Sequence, residues 1–219
     1  MNFYEILQLI IPETGNTLIM VAVSTILGYA FGLPLGIILT LTDKNGLKPN
    51  KAIYTILDII VNIFRSIPFV ILLVWMIPFT KALVYTSIGV KGAIVPLTVS
   101  AIPFIARMIE QSLKEVDPGI IEAAQAMGAS TWQIVMKVLL VESRSSLVLG
   151  TTIVFSSIIG YVAMAGMVGA GGLGDVAIRY GYLRYVKEVM LAAIIVVIII
   201  VQIFQLAGNY LAKKVDKRQ

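Results

Sequence analysis

Long uncharged runs separated by short polar breaks organise the chain. Residues 14–42, 145–174 and 189–212 hold no Asp, Glu, Lys or Arg. Each is long enough to cross roughly 30 Å of hydrocarbon, which takes about 20 helical residues. Two shorter runs, 66–80 between Arg65 and Lys81 and 92–106 between Lys91 and Arg107, reach only about 22 Å as helix. They must extend into their charged flanks, with Arg65 and Arg107 snorkelling or facing protein. The pattern predicts five spans in an all-α integral membrane protein, about 17–40, 54–79, 93–110, 147–170 and 189–210, forming one domain over residues 1–219.

An odd number of spans puts the termini on opposite faces. With the N-terminus outside, eleven basic residues fall in inner loops (Lys44, Lys48, Lys51, Arg107, Lys114, Lys137, Arg144, Lys213, Lys214, Lys217 and Arg218). Five fall in outer loops: Lys81, Lys91, Arg179, Arg184 and Lys187. Arg65 is set aside because it lies within a span. The positive-inside bias selects N-outside and C-inside. Gly28, Gly32, Pro34 and Gly36 in the first span, Pro68 and Pro78 in the second, and Pro96 and Pro103 in the third imply close packing or broken helices. As a set they suggest a bundle that lines a pathway. Asp58 and Arg65, seven residues apart on one helix face, form a candidate charge pair, either in a pathway or as an anchor at the inner end.

Residues 111–146 are polar enough to leave the bilayer, and their pattern is helical. Asp117-Pro118 reads as an N-cap followed by proline at the first helical position. Gly128 stands where a left-handed helix stop is expected. Ser130-Thr131-Trp132-Gln133 matches a capping box at the start of a second helix. Helix, sharp glycine turn and helix make an elbow that can present a compact surface outside the membrane.

Composition then narrows the chemistry. The chain of 219 residues is 58% hydrophobic and only 13% charged, against about a quarter charged in soluble domains. It has no Cys and no His, which removes disulfides, thiolate or imidazole metal sites and a Ser-His-Asp triad. The first basic residue is Lys44, so no basic n-region marks a cleaved signal peptide. The net charge of +5 fits inward-facing loops of a membrane protein better than a nucleic-acid partner. Residues 169–174 satisfy G-x-G-x-x-G, yet they follow a membrane span rather than a strand in a βαβ unit, so no dinucleotide site is expected. They fit a flexible lip of a pathway or a tight helix end. No G-x-x-x-x-G-K-[ST] is present, so no ATP hydrolysis by this chain alone is expected.

The stretch Glu122-Ala123-Ala124, three residues, Gly128, nine residues, then Val138-Leu139-Leu140 resembles the E-A-A-x3-G-x9-I-x-L-P loop of binding-protein-dependent ABC importer permeases. Val138 stands in place of Ile, and Val141 in place of the closing Pro, which bears on the bend into the fourth span. Phe64-Arg65-Ser66-Ile67-Pro68-Phe69, Ala93-Ile94-Val95-Pro96-Leu97-Thr98 and Gly169–Gly174 are similar to the methionine permeases of that class. The resemblance implies a five-helix, type I permease without a cofactor in a bacterial plasma membrane. Its expected partners are a second permease copy, two cytoplasmic ATP-binding subunits and an extracytoplasmic methionine-binding lipoprotein. It also implies that Glu122, Ala123, Ala124 and Gly128 dock on the ATPase.

A zwitterion with a soft thioether tail calls for apolar, deformable lining. Tyr161 and Met164, three apart in the fourth span, share a helix face and either line a passage or pack against neighbouring helices. A permease for another small amino acid or amine, and a stand-alone carrier, are the alternatives. The carrier would need intramembrane acids, and Asp58 is the single candidate within a span.

Overall fold

A computed structural model describes residues 2–216, so Lys217 and Arg218, counted above among the inner basic residues, lie outside the described residues. Helix α1 runs Phe3–Thr42, α2 Lys51–Ser66, α3 Phe69–Trp75, α4 Ile77–Val84 and α5 Gly89–Lys114. After α6 (Pro118–Ala126), α7 (Thr131–Ile134) passes through a π-helical turn at Val135–Leu139 into α8 (Leu140–Glu142). Helix α9 covers Arg144–Ala165 and ends in a 3-10 turn to Val168; α10 (Gly172–Val176) leads through a second π-helical turn, and α11 covers Lys187–Val215.

Four of these elements are long and apolar enough to cross a membrane: α1, α5, α9 with its 3-10 turn, and α11. The second span expected over 54–79 is not one helix. Between α2 and α3 the axis bends by 99°. Pro68 has no N–H to continue a helix, and its ring pushes the preceding residue away from helical angles. Ile67 accordingly takes φ −77°, ψ 122°. If the bent pair counts as one span, the total is five.

Helix α1 begins fourteen residues before the expected 17, and the reason is packing. Ile6 and Ile10 are buried against Leu173, Val176, Val189 and Ala193, so the first turns of α1 have an apolar partner within the chain. Further along, Gly28, Gly32 and Gly36 recur every fourth residue and form a seam against α5. A Cβ on Gly32 would lie 2.9 Å from the Ile102 carbonyl oxygen, and one on Gly36 2.6 Å from that of Ala106. Small residues let the two backbones meet, the usual way membrane helices associate without a hydrophobic driving force between them. Helix α9 packs on α11 through stacked Phe155 and Phe204, whose ring centroids are 3.5 Å apart.

The glycine-rich segment after α9 is a tight helix end, not a flexible lip. Gly169, Gly171 and Gly172 take φ of +84°, +79° and +79°. The free N–H groups of Gly172 and Leu173 donate to Glu13 Oε2 (2.6 Å) and Thr17 Oγ1 (2.9 Å) of α1. Leu173 and Val176 are buried beneath this latch.

Candidate functional site

At the end of the bundle opposite the glycine latch, α5 runs into the elbow expected from the sequence. Buried Leu113 and Val116 root the junction, and the Asp117 side chain caps α6 by accepting from the Gly119 N–H at 2.7 Å. Gly128 has φ +78°, and Ala129 N–H donates to the Ala124 carbonyl to close the turn. Ser130 and Gln133 then cap α7 reciprocally: Gln133 N–H donates to Ser130 Oγ, and Ser130 N–H donates to Gln133 Oε1. Where the related motif ends in Pro, the chain bends without one. The π-helical turn covers Val135–Leu139, and Ser143 leaves helical geometry at φ −86°, ψ 2° with its hydroxyl donating to the Leu139 carbonyl.

The four elbow residues divide. Glu122, Ala123 and Gly128 are exposed, whereas Ala124 is 5% exposed and joins the main apolar core. Glu122 and Ala123 therefore form the presented face, with Ala124 fixing α6 to its own chain. Met127 and Trp132, to which the motifs gave no role of their own, are 81% and 67% exposed beside them. Such large apolar groups on a polar elbow are the available signal for a partner surface.

Behind the elbow lies a layer of charge. Glu110 of α5 is 1% exposed and accepts from Arg107 Nη1 at 2.6 Å, Lys114 Nζ at 2.8 Å and Tyr54 Oη at 3.1 Å. Lys114 also pairs with Asp43 at 2.8 Å, just past the end of α1, and its ammonium lies 5.4 Å from the Tyr54 ring centre. Arg107 reaches across to Asp58 and Asn62 of α2. Asp43 is held below its ordinary carboxylate range, first by the Asn45 N–H and then by Lys114. A cleft of about 550 Å³ opens between this layer, the turn after α1 and α6; Asp43, Lys44, Lys114, Glu122 and Gln125 line it.

The expected Asp58–Arg65 pair does not form. Two helical turns separate those residues by about 10 Å along the axis, and Asp58 is taken by Arg107 from another helix. Arg65 is exposed, with no ion pair among the described residues. In α9, Tyr161 stacks on Phe69 of α3, centroids 4.7 Å apart and 14° from parallel. Met164 is 43% exposed. Sequence reasoning missed the Glu110 layer, although Arg107, Glu110 and Lys114 follow one another at steps of three and four residues in a helix otherwise nearly free of charge.

Membrane-length helices, with a capped helix–glycine–helix elbow projecting from them and a charged layer centred on buried Glu110 at its root, mark an integral membrane protein that presents a compact surface outside the bilayer. The chain belongs to the family of binding-protein-dependent transport system inner membrane components, whose model matches residues 32–217. It is 49% identical over 211 residues to the "Probable D-methionine transport system permease protein MetI" of Vibrio cholerae serotype O1, covering 96% of this chain and 94% of that protein. It is 52% identical over 158 residues to the D-methionine transport system permease protein MetI of Escherichia coli strain K12, covering 72% of this chain and 73% of that one. Among solved structures it is similar to an inward-facing MetNI methionine ABC transporter, with a TM-score of 0.96, 47% identity and coverage of 99% and 100% of the two chains. A chain of an amino acid ABC transporter at 15% identity and TM-score 0.67 shares the fold.

Proposed function

We propose that this chain is the permease subunit of an ATP-driven methionine importer, in which two copies, two cytoplasmic ATP-binding subunits and an outer methionine-binding protein assemble. The observation that carries the reading is similarity to methionine permeases along almost the whole chain, 96% of it at 49% identity, together with the intact elbow geometry. The permease is a non-catalytic subunit: hydrolysis belongs to the ATP-binding partner, and the exposed Glu122–Ala123 face of α6, shaped by Gly128 and fixed by Ala124, conveys its closure to the spans. The N-terminus faces outside and the elbow faces the cytoplasm, as the distribution of basic residues favours.

The test is uptake of labelled methionine into vesicles holding the reconstituted set of subunits. ATP-dependent accumulation of methionine is expected. Preferential uptake of another amino acid or an amine would refute the substrate assignment.

The same reading makes the Met164 face of α9 part of the passage, its thioether meeting that of the substrate. Met164→Ala then weakens apparent affinity by about 1–3 kcal/mol, up to roughly a hundredfold. An unchanged affinity with a lower melting temperature would assign Met164 to packing instead. Tyr161, stacked on Phe69, is the neighbour that holds this face in place.

A further inference from the structure

Helix α2 is held to the rest of the molecule by little apolar contact. Val61 is its one buried residue, set against Leu39 and Ala106, while Ile53, Ile56, Ile59, Ile60 and Ile63 are exposed on its other face. Tyr54 and Leu57 pack partly buried against the same small cluster, and the charged layer supplies the polar hold. Asp58 and Asn62 bind Arg107, and the Tyr54 hydroxyl donates to Glu110. Those two α5 residues are bonded to each other, and Glu110 passes the connection through Lys114 to Asp43.

The position of the layer gives it consequence. Lys114 ends α5, and Asp117, three residues on, caps α6. Leu113, Val116 and Ala124 belong to one buried core, so the end of α5 and the elbow form a single packed unit. Helix α2, in turn, leads directly to the 99° break before α3. One set of ion pairs centred on buried Glu110 therefore joins the helix that enters the elbow to the helix that leads to the break.

We propose that Asp58, Arg107 and Glu110 are positioning residues that tie α2 to the α5–α6 unit, so that displacement of the elbow by the ATP-binding partner reaches the bend at Pro68. This rests on the reading of the chain as an ATP-driven permease. Glu110 is the hub: buried, it accepts from three side chains, and losing any of them leaves buried charge or polarity uncompensated. Asp58 and Arg107 form the joint that crosses between the helices. The pairs act on geometry and touch no substrate.

The chain has no Cys, so Asp58→Cys with Arg107→Cys provides the only two thiols in each permease copy. In the reconstituted complex the double variant should still co-purify with the ATP-binding subunit and hydrolyse ATP. Methionine taken up per ATP should fall by roughly tenfold, within the range of ordinary site-to-site coupling. Bridging the two thiols with a short bifunctional reagent replaces the ion pair by a covalent tie and should restore that ratio. A structural role alone would alter assembly without changing the ratio, and bridging would not repair it.

Asp58→Asn, at a partly exposed position, is the milder variant and should lower the ratio at unchanged assembly. An unchanged ratio in the unbridged variants, or a low ratio persisting after bridging, overturns the proposal. Wild-type complex measured alongside separates the two readings: no methionine uptake there refutes the assigned function, whereas a deficit confined to the variants bears on the tie.

Discussion

Gly128 combines a φ of +78° with open space, since a Cβ built on it would meet nothing within 4 Å. The demand for glycine is therefore one of backbone conformation, not of crowding. A left-handed conformation costs a residue with a Cβ about 1–2 kcal/mol, and β-branched side chains resist it most. Gly128→Val should insert into the membrane normally yet co-purify poorly with the ATP-binding subunit, or hydrolyse ATP without uptake, while Gly128→Asn should retain most function. Wild-type uptake by Gly128→Val would contradict the role of the turn. Asp43 offers a second test at this scale. Its carboxyl is held below the ordinary 3.8 by the Asn45 N–H and Lys114. A depressed folded pKa contributes stability above the unfolded value, and that stability is lost as pH falls through the lower, folded one. Melting curves across acidic pH should therefore show a shallower acid-side decline for Asp43→Asn than for wild type, from a lower starting point at neutral pH.

Among the elements, local signals and long-range contacts part company. The caps at Asp117 and Ser130 and the turn at Gly128 were legible because each is decided within four residues of sequence. Pro68 left the second span open to either a kink or a break, because a run of apolar residues looks alike whether its axis is straight or bent by 99°. The early start of α1 was hidden for another reason: the partners of Ile6 and Ile10 lie in α10 and α11. The charged layer joins residues 49, 56 and 71 positions apart, a separation at which no periodicity along one helix reveals a partner. The glycine seam makes a prediction at this level. Gly32→Leu would force α1 from α5 against a backbone carbonyl that cannot rotate away, costing about 1–3 kcal/mol or more. The measurement is a melting temperature in detergent, and Gly15→Leu is the control because nothing lies within 4 Å of its Cβ position. Equal melting temperatures for the two variants would refute the seam.

For the molecule as a whole, the distribution of basic residues makes a prediction about orientation. A reporter joined at Met1 should be external and one joined at Gln219 cytoplasmic; both attachment points lie outside the described residues. Detection of both reporters on one face would sink the five-span arrangement, and with it the counting of bent α2–α3 as a crossing. The latch between α1 and α10 also bears on how such a chain is made. Glu13 and Thr17 receive their backbone donors from residues 159 and 156 positions later. Synthesis delivers α1 to the bilayer first, so for most of translation these side chains lack the N–H groups that will complete them. Until Gly172 emerges, Glu13 keeps only its local bond from Asn16 within α1, so the latch between the first helix and α10 is among the last contacts that synthesis allows the chain to close.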